Sequence, residues 1–173
     1  LTTSTLTITE PATLSLNIYS TSVSCNGGST AIATSFPTGG TLPYFYLWSN
    51  GVTTANASNL STGTYTLALR DNNNCTTSAT VIINEAPVLT VTLSSQPSTC
   101  NQYDGSATIL ASGGVGSFTY LWNNTQTTSI INNLVSANYQ ATVTDGNGCT
   151  KTGSIQVYNE PGVTAVPARS EER

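Results

Sequence analysis

Most landmark residues of this chain occur twice, 74 or 75 positions apart. The hexapeptide YLWSNG at residues 46–51 returns as YLWNNT at 120–125, and the two copies hold the only tryptophans. Cys25 and Cys100 are 75 apart; Cys75 and Cys149, Tyr65 and Tyr139, and Pro87 and Pro161 are each 74 apart. Glu10, Glu85 and Glu160 follow one another at intervals of 75. A frame this complete is one module written twice. Its period exceeds a single supersecondary unit, so each copy is expected to be a small domain with its own core rather than one turn of a solenoid. The copies run over 11–86 and 87–160. Residues 1–10 read as the last strand of a preceding repeat or as a donated strand. Residues 161–173 read as the start of a further repeat or as a C-terminal tail.

Within a module the apolar residues alternate. Thr13 to Ile18 reads T-L-S-L-N-I, the period of a half-buried strand, and Thr90 to Leu93 follows the same path. Further strands are expected at Ser29–Thr34 and Gly105–Leu110, at Tyr44–Ser49 and Phe118–Asn123, and at Tyr65–Arg70 and Tyr139–Thr144. The last strand is expected at Thr77–Ile83 and Ser154–Tyr158, and a polar strand at Thr53–Ser58 and Thr127–Ile131. Asp71 and Asp145 open turns rich in Asn and Gly, residues that tolerate positive φ. Six or seven short strands at about ten-residue spacing, with no helical periodicity, predict an all-β fold: two tandem immunoglobulin-like β-sandwiches in a linear array.

Trp48 and Trp122 then fall on the third strand, where such a sandwich carries its core plug. Each supplies the largest apolar surface in a domain too small for a generous core. Tyr46 and Tyr120 share their face. An exposed aromatic platform for sugar, built on Tyr44, Phe45 and Tyr46, is the alternative, but its counterpart would be Phe118, Thr119 and Tyr120. Tyr65 and Tyr139 stand where a tyrosine corner belongs. Ala137 occupies the position of Gly63, so a positive φ required there would strain the second copy.

Composition removes several function classes. Only 7% of residues are charged, 4 basic and 8 acidic, for a net charge of −4. Four cations leave no footprint for nucleic acid or anionic lipid. With 38% hydrophobic residues in alternating runs, the chain is not of the disordered type, which pairs low hydrophobicity with high charge. No apolar run reaches a membrane span. Residues 1–11 lack the basic start and apolar core of a secretory signal, so the chain reads as a mature fragment or a piece of something longer. Histidine is absent, which removes the commonest general base, and no nucleophile–base pair is visible. No enzyme activity and no cofactor are expected.

The four cysteines form two equivalent pairs. There is no Cys-x-x-Cys and no histidine to complete a zinc site. Disulfides are the favoured reading, ahead of buried thiols and of metal, and they place the chain in an oxidising, extracellular compartment. Equivalent positions should pair alike: Cys25 with Cys75, and Cys100 with Cys149. Each bond would close a loop of about 50 residues, worth roughly 4 kcal/mol at most.

Taken together, C-N-G-G, P-Y-F-Y-L-W-S-N-G, L-S-T-G-T-Y-T-L, D-N-N-N-C and the closing N-E-A-P resemble the SprB-type repeat of Bacteroidota cell-surface adhesins. The resemblance covers about residues 5–165. The second copy departs from it at Asn124-Thr125 and Ala137, and VPARSEER at 166–173 lies outside it. It implies an extracellular, fibrous or adhesive protein without catalytic activity: a disulfide-stapled spacer, a self-assembling filament subunit, or a module that binds glycans or another surface. The implied partners are neighbouring repeats, copies of the chain itself, or surface glycans.

Remaining candidates have plainer readings. Asp71 and Asp145 could suggest calcium, but one Asp per turn falls short of six to eight oxygens, and an ordinary turn is favoured. Glu10, Glu85 and Glu160 read as junction caps. Asn56, Asn59, Asn74 and Asn123 stand in Asn-x-Ser/Thr sequons; unmodified surface asparagine is the favoured reading, and O-glycosylation of Ser and Thr is open. The junction Asn84-Glu85-Ala86-Pro87 lacks a glycine or serine run, which predicts a stiff connection. At the ends, TLTITEP (5–11) matches a last strand without its repeat. Either the chain is an excerpt of a longer array, or Thr5 to Thr9 donates a strand to a neighbour, with Leu6 and Ile8 as the inserted residues.

Overall fold

The structure, a computed structural model, describes residues 10–161. The chain divides into two units, Leu1–Ala86 and Pro87–Arg173. Residues 1–9, including Leu6 and Ile8 and the whole candidate donor strand, lie outside the described residues, as does VPARSEER.

The first unit contains β1 (Ser15–Ser20), β2 (Ala31–Thr38), β3 (Phe45–Trp48), β4 (Asn56–Leu60), β5 (Gly63–Arg70) and β6 (Thr76–Ile83). Strands β1, β2 and β4 form one antiparallel sheet, and β3, β5 and β6 the other. Beyond β1 the chain makes a parallel bridge from Val23 to Glu85, just past β6. The second unit repeats this plan with β7 (Thr90–Gln96), β8 (Ser98–Thr99), β9 (Gly105–Ser112), β10 (Thr119–Trp122), β11 (Ile130–Leu134), β12 (Ala137–Thr144), β13 (Thr150–Val157) and β14 (Asn159–Glu160). Its sheets are β7-β9-β11 and β10-β12-β13, and β8 pairs in parallel with β14. In both units the first strand thus leaves its antiparallel partner and ends against the exit of the last strand.

The inward residues of both sheets share one core in each unit. In the first it comprises Val23, Ala31, Ala33, Trp48, Ala57, Leu60, Leu67 and Ile83. In the second it comprises Ala107, Ile109, Trp122, Ile131, Leu134, Tyr139, Ala141, Val143 and Val157. Two positions exchange bulk between the copies. Ala57 corresponds to Ile131 and Leu67 to Ala141, so volume removed at one site returns at the other. Close-packed interiors demand such conservation of total volume.

The fourth strand lies later than its pattern suggested, at Asn56–Leu60 and Ile130–Leu134. The reason is a bulge. Ala57 and Leu60 are both buried although three residues apart, which a regular two-residue period forbids. Asn59 takes φ 56° and Asn133 φ 57°, and the pairing register slips beside each. One extra residue in the left-handed region turns Leu60 and Leu134 back to the core.

Candidate functional site

Each unit has two ends, and the polar anchors gather there. At the end where the chain enters, Asp71 is buried with both carboxylate oxygens engaged: the amide of Cys75 donates to Oδ1 at 2.8 Å and that of Thr41 to Oδ2 at 2.9 Å. Asp145 does the same, accepting from Cys149 and Asn147 at 2.9 Å on Oδ1 and from Val115 at 2.9 Å on Oδ2. Burial alone pushes each carboxyl up. The backbone amides outweigh it and hold both below the usual carboxylate range. Gly40 and Gly114, at φ 65° and 59°, pass close to these carboxylates and to Leu14 and Leu89; a Cβ there would stand 3.0 Å and 2.7 Å from Oδ2. The calcium candidates are therefore turn anchors whose oxygens are spent on backbone. Sequence reading placed the turns and missed the glycine that lets each carboxylate sit over the first strand.

At the exit end, just past the last strand, the Val23 amide donates to Asn84 O at 2.8 Å, the Ala86 amide donates to Val23 O at 3.2 Å, and the Gly27 amide donates to Glu85 Oε2 at 2.7 Å. In the second unit the Asn101 amide donates to Asn159 Oδ1 at 2.7 Å. The strand pairing puts Val23 opposite Glu85 and Ser98 opposite Asn159. Glu85 thus corresponds to Asn159, not to Glu160, because the interval is 74 at this point. Glu85 does cap a loop, while Glu160 contributes its backbone carbonyl to the Cys100 amide at 3.0 Å.

The aromatic residues occupy equivalent places. Trp48 and Trp122 are buried, and their indole N–H groups donate to Thr54 O at 3.0 Å and Thr128 O at 2.9 Å. The Tyr65 hydroxyl donates to Ser61 O and the Tyr139 hydroxyl to Val135 O, each at 3.2 Å. Gly63 has φ 150°, whereas Ala137 is not among the residues of positive φ; the corner forms in both without straining Ala137. Tyr46 and Tyr120 pack half-buried against their cores. Phe45 is exposed and carries the Arg70 guanidinium 4.6 Å from its ring centroid.

One outer face differs. On β1 and β2, Tyr19 and Phe36 are 68% and 50% exposed and meet edge to face at 5.5 Å. With Thr21, Ile32 and Thr34 they line a shallow recess. Ser94 and Leu110 hold the corresponding positions in the second unit, so the aromatic pair is not repeated. Asn56, Asn59, Asn74 and Asn123 are all exposed; Asn74 accepts a hydrogen bond from Arg70, and Asn123 Nδ2 donates to Asn138 O at 3.3 Å.

The cysteine pairing requires correction. Cys25 and Cys149 are each disulfide-bonded, while Cys75 and Cys100 are exposed free thiols, so neither within-repeat bond forms. Pairing inside a repeat fails on distance. Cys25 lies at the exit end, where neighbouring Asn26 and Gly27 bond to Ala86 and Glu85. Cys75 lies at the entry end against Asp71. The whole of β6 separates them, about 25 Å at 3.3 Å per residue, whereas bridged Cα atoms stand within about 7 Å. Equal spacing showed which cysteines correspond, not which end of the sandwich each occupies.

The SprB repeat family model matches residues 18–53 and 92–127, one segment in each unit. No curated protein gives a significant match. Among solved structures, the three N-terminal domains of the bacteriophage RB49 Highly Immunogenic Outer Capsid protein are similar in fold, with a TM-score of 0.52 and 15% identity. That alignment covers 85% of this chain and 59% of the other. The N-terminal eight immunoglobulin domains of Down Syndrome Cell Adhesion Molecule align at TM-score 0.41 and 12% identity, over 87% of this chain and 25% of that one. The chain thus spans less than two thirds of either. At 15% identity the likeness to the capsid protein shows the fold alone: an all-β chain of immunoglobulin-like sandwiches. With a SprB repeat match in both units, the chain is a repeat module of the kind found in cell-surface proteins.

Proposed function

We propose that this chain is a spacer segment of an extracellular surface protein, a structural module without catalytic activity. One observation carries the reading. The features repeated between the units are those that hold a sandwich together: the buried tryptophan with its carbonyl partner, the tyrosine corner and the anchored aspartate turn. The outward aromatic pair is not repeated. A module selected to bind through every copy would repeat its binding face; one selected to occupy length need repeat only its frame. The disulfide supports an oxidising location outside the cell.

A second reading rests on Tyr19 and Phe36. Exposed aromatic rings beside threonine hydroxyls are a surface on which a sugar face could stack, making the first unit an adhesive module. A glycan array and binding to glycan-coated beads separate the two. The spacer reading expects no signal above background. Saturable binding that is lost in Tyr19→Ser and Phe36→Ser variants of unchanged melting temperature would overturn it in favour of adhesion.

A further inference from the structure

We infer that the outer face of β3 and β5 in the first unit carries a carboxylate site, centred on Arg70, that takes one uronic-acid ring of an acidic polysaccharide. The inference goes beyond the spacer reading. It uses neither Tyr19 nor Phe36, which lie on the other sheet of the unit.

Arg70 is the only cation among the described residues of this unit. Its guanidinium is held on two sides. It lies 4.6 Å from the centroid of the Phe45 ring, and Nη1 donates to Asn74 Oδ1. Neither partner is an anion. The carboxylates of the unit are engaged elsewhere or set apart. Asp71 is buried on the Cys75 and Thr41 amides, Glu85 accepts from Gly27, and Glu10 lines a neighbouring recess. The Nε–Nη2 edge of Arg70 therefore has no partner among the described residues. An edge of this kind meets both oxygens of a carboxylate at once. A guanidinium already fixed by a ring and an amide loses little freedom when it does so.

Beside the guanidinium is a shallow recess of about 260 Å³, lined by Phe45, Leu47, Ala68 and Thr76 among others. Pockets for drug-sized ligands run to about 300–1,000 Å³, so this one suits a single ring. Its floor is apolar, since Leu47 and Ala68 are exposed cross-strand partners. Its main chain is spent. The Ser49 amide bonds Thr66 O, and in an antiparallel ladder the bonded pairs recur at every second residue. Leu47 with Ala68 and Phe45 with Arg70 are the next two such pairs. An extended peptide binds by adding backbone hydrogen bonds at a sheet edge, and this floor has none to give. A pyranuronate makes no such demand. Its carboxylate meets the free edge of Arg70, its C–H face covers Leu47 and Ala68, and its hydroxyls stay in water or reach the Thr76 hydroxyl.

The second unit lacks the site. Thr119 and Thr144 face each other where Phe45 and Arg70 do, Leu121 faces Thr142, and Gly148 stands in place of Asn74. Neither the ring nor the cation is there. A contact with one ring of about a dozen heavy atoms corresponds to a Kd of about 1 mM. That is too weak to survive the washes of a glycan array, so the site is consistent with a silent array.

Titration of the intact, isotope-labelled chain with trigalacturonate, followed by NMR, tests the assignment. The expected result is saturable amide shifts at Phe45, Leu47, Ala68, Arg70 and Thr76, and none at Thr119, Leu121, Thr142, Thr144 and Thr150. The fully methyl-esterified trisaccharide keeps the rings and loses the charge. It should bind the unaltered protein about tenfold or more weakly. Arg70→Gln should weaken binding of the acid by a similar factor, and Arg70→Lys, a charge without the planar fork, should fall between. Signals outside the recess report that each variant folds. No saturation well above the expected Kd, equal binding of acid and ester, equal shifts in the second unit, or tighter binding by acetate or by a short glutamate peptide would overturn the proposal. So would shifts centred on Tyr19 and Phe36. The spacer reading is tested at Tyr19 and Phe36 and this site at Arg70, so the two fail separately.

Discussion

Thr125 sits at φ 70° in the turn where its counterpart Gly51 sits at φ 85°. The two turns are otherwise the same. The Gly51 amide donates to Trp48 O and the Thr125 amide to Trp122 O, both at 2.9 Å. The left-handed region costs an L-residue about 1–2 kcal/mol, and a β-branched side chain is among the worst suited to it. The buried tryptophan fixes the strand that leads into this turn, so the second unit bears the strain.

Thr125→Gly should therefore stabilise the second unit. The relief is partly offset by the greater freedom of glycine in the unfolded chain, about 0.4–1 kcal/mol. A net gain of about 0.5–1 kcal/mol is expected in urea unfolding followed by Trp122 fluorescence in a Trp48→Phe background. Gly51→Thr should move the first unit the other way. A loss of stability in Thr125→Gly would show that the threonine side chain contributes more than its backbone costs.

The exchange of bulk between the two cores makes a second test. Ile131→Ala should destabilise the second unit by about 2–5 kcal/mol, and Ala141→Leu alone should overpack it by about 1–3 kcal/mol. The double variant recreates the arrangement that Ala57 and Leu67 hold in the first unit. Its loss should fall short of the sum of the single losses by about 1 kcal/mol or more. Simple additivity in a double-mutant cycle would mean that the two sites do not share space.

Acid should loosen both entry ends. The Asp71 and Asp145 carboxyls are held below their ordinary range in the folded chain, so the unfolded chain binds their protons first. Their contribution is complete above the unfolded value, about 3.9, and is lost as pH falls from there through the lower folded values. Asp104 adds in the same direction, held down first by the Thr99 hydroxyl and then by the Thr99 amide. Melting temperature measured from pH 7 to pH 2 should be flat at first and then fall. Asp71→Asn and Asp145→Asn should lower it at neutral pH and shrink the acid-dependent part. An unchanged acid slope in the double variant would assign the effect to other carboxyls.

Much of this architecture is local and was legible as such. Period-two alternation marked β1, β3, β5 and their copies, because a strand's face depends on the parity of its own residues. Trp48 and Trp122 could be placed in the core because the third strand of such a sandwich has one buried face. Where the pattern misled, a non-local cause intervened. Asn59 and Asn133 insert an extra residue into the fourth strand, and only pairing with β2 and β9 shows that Leu60 and Leu134 turn inward. The interval between copies is 74 at some positions and 75 at others, so Glu160 fell into a register with Glu85 that strand pairing gives to Asn159. Repetition determined which cysteines are equivalent. Which cysteine can reach which was decided by the tertiary structure, because β6 and β13 run the length of each sandwich and carry their flanking cysteines to opposite ends, a separation no spacing in the sequence encodes.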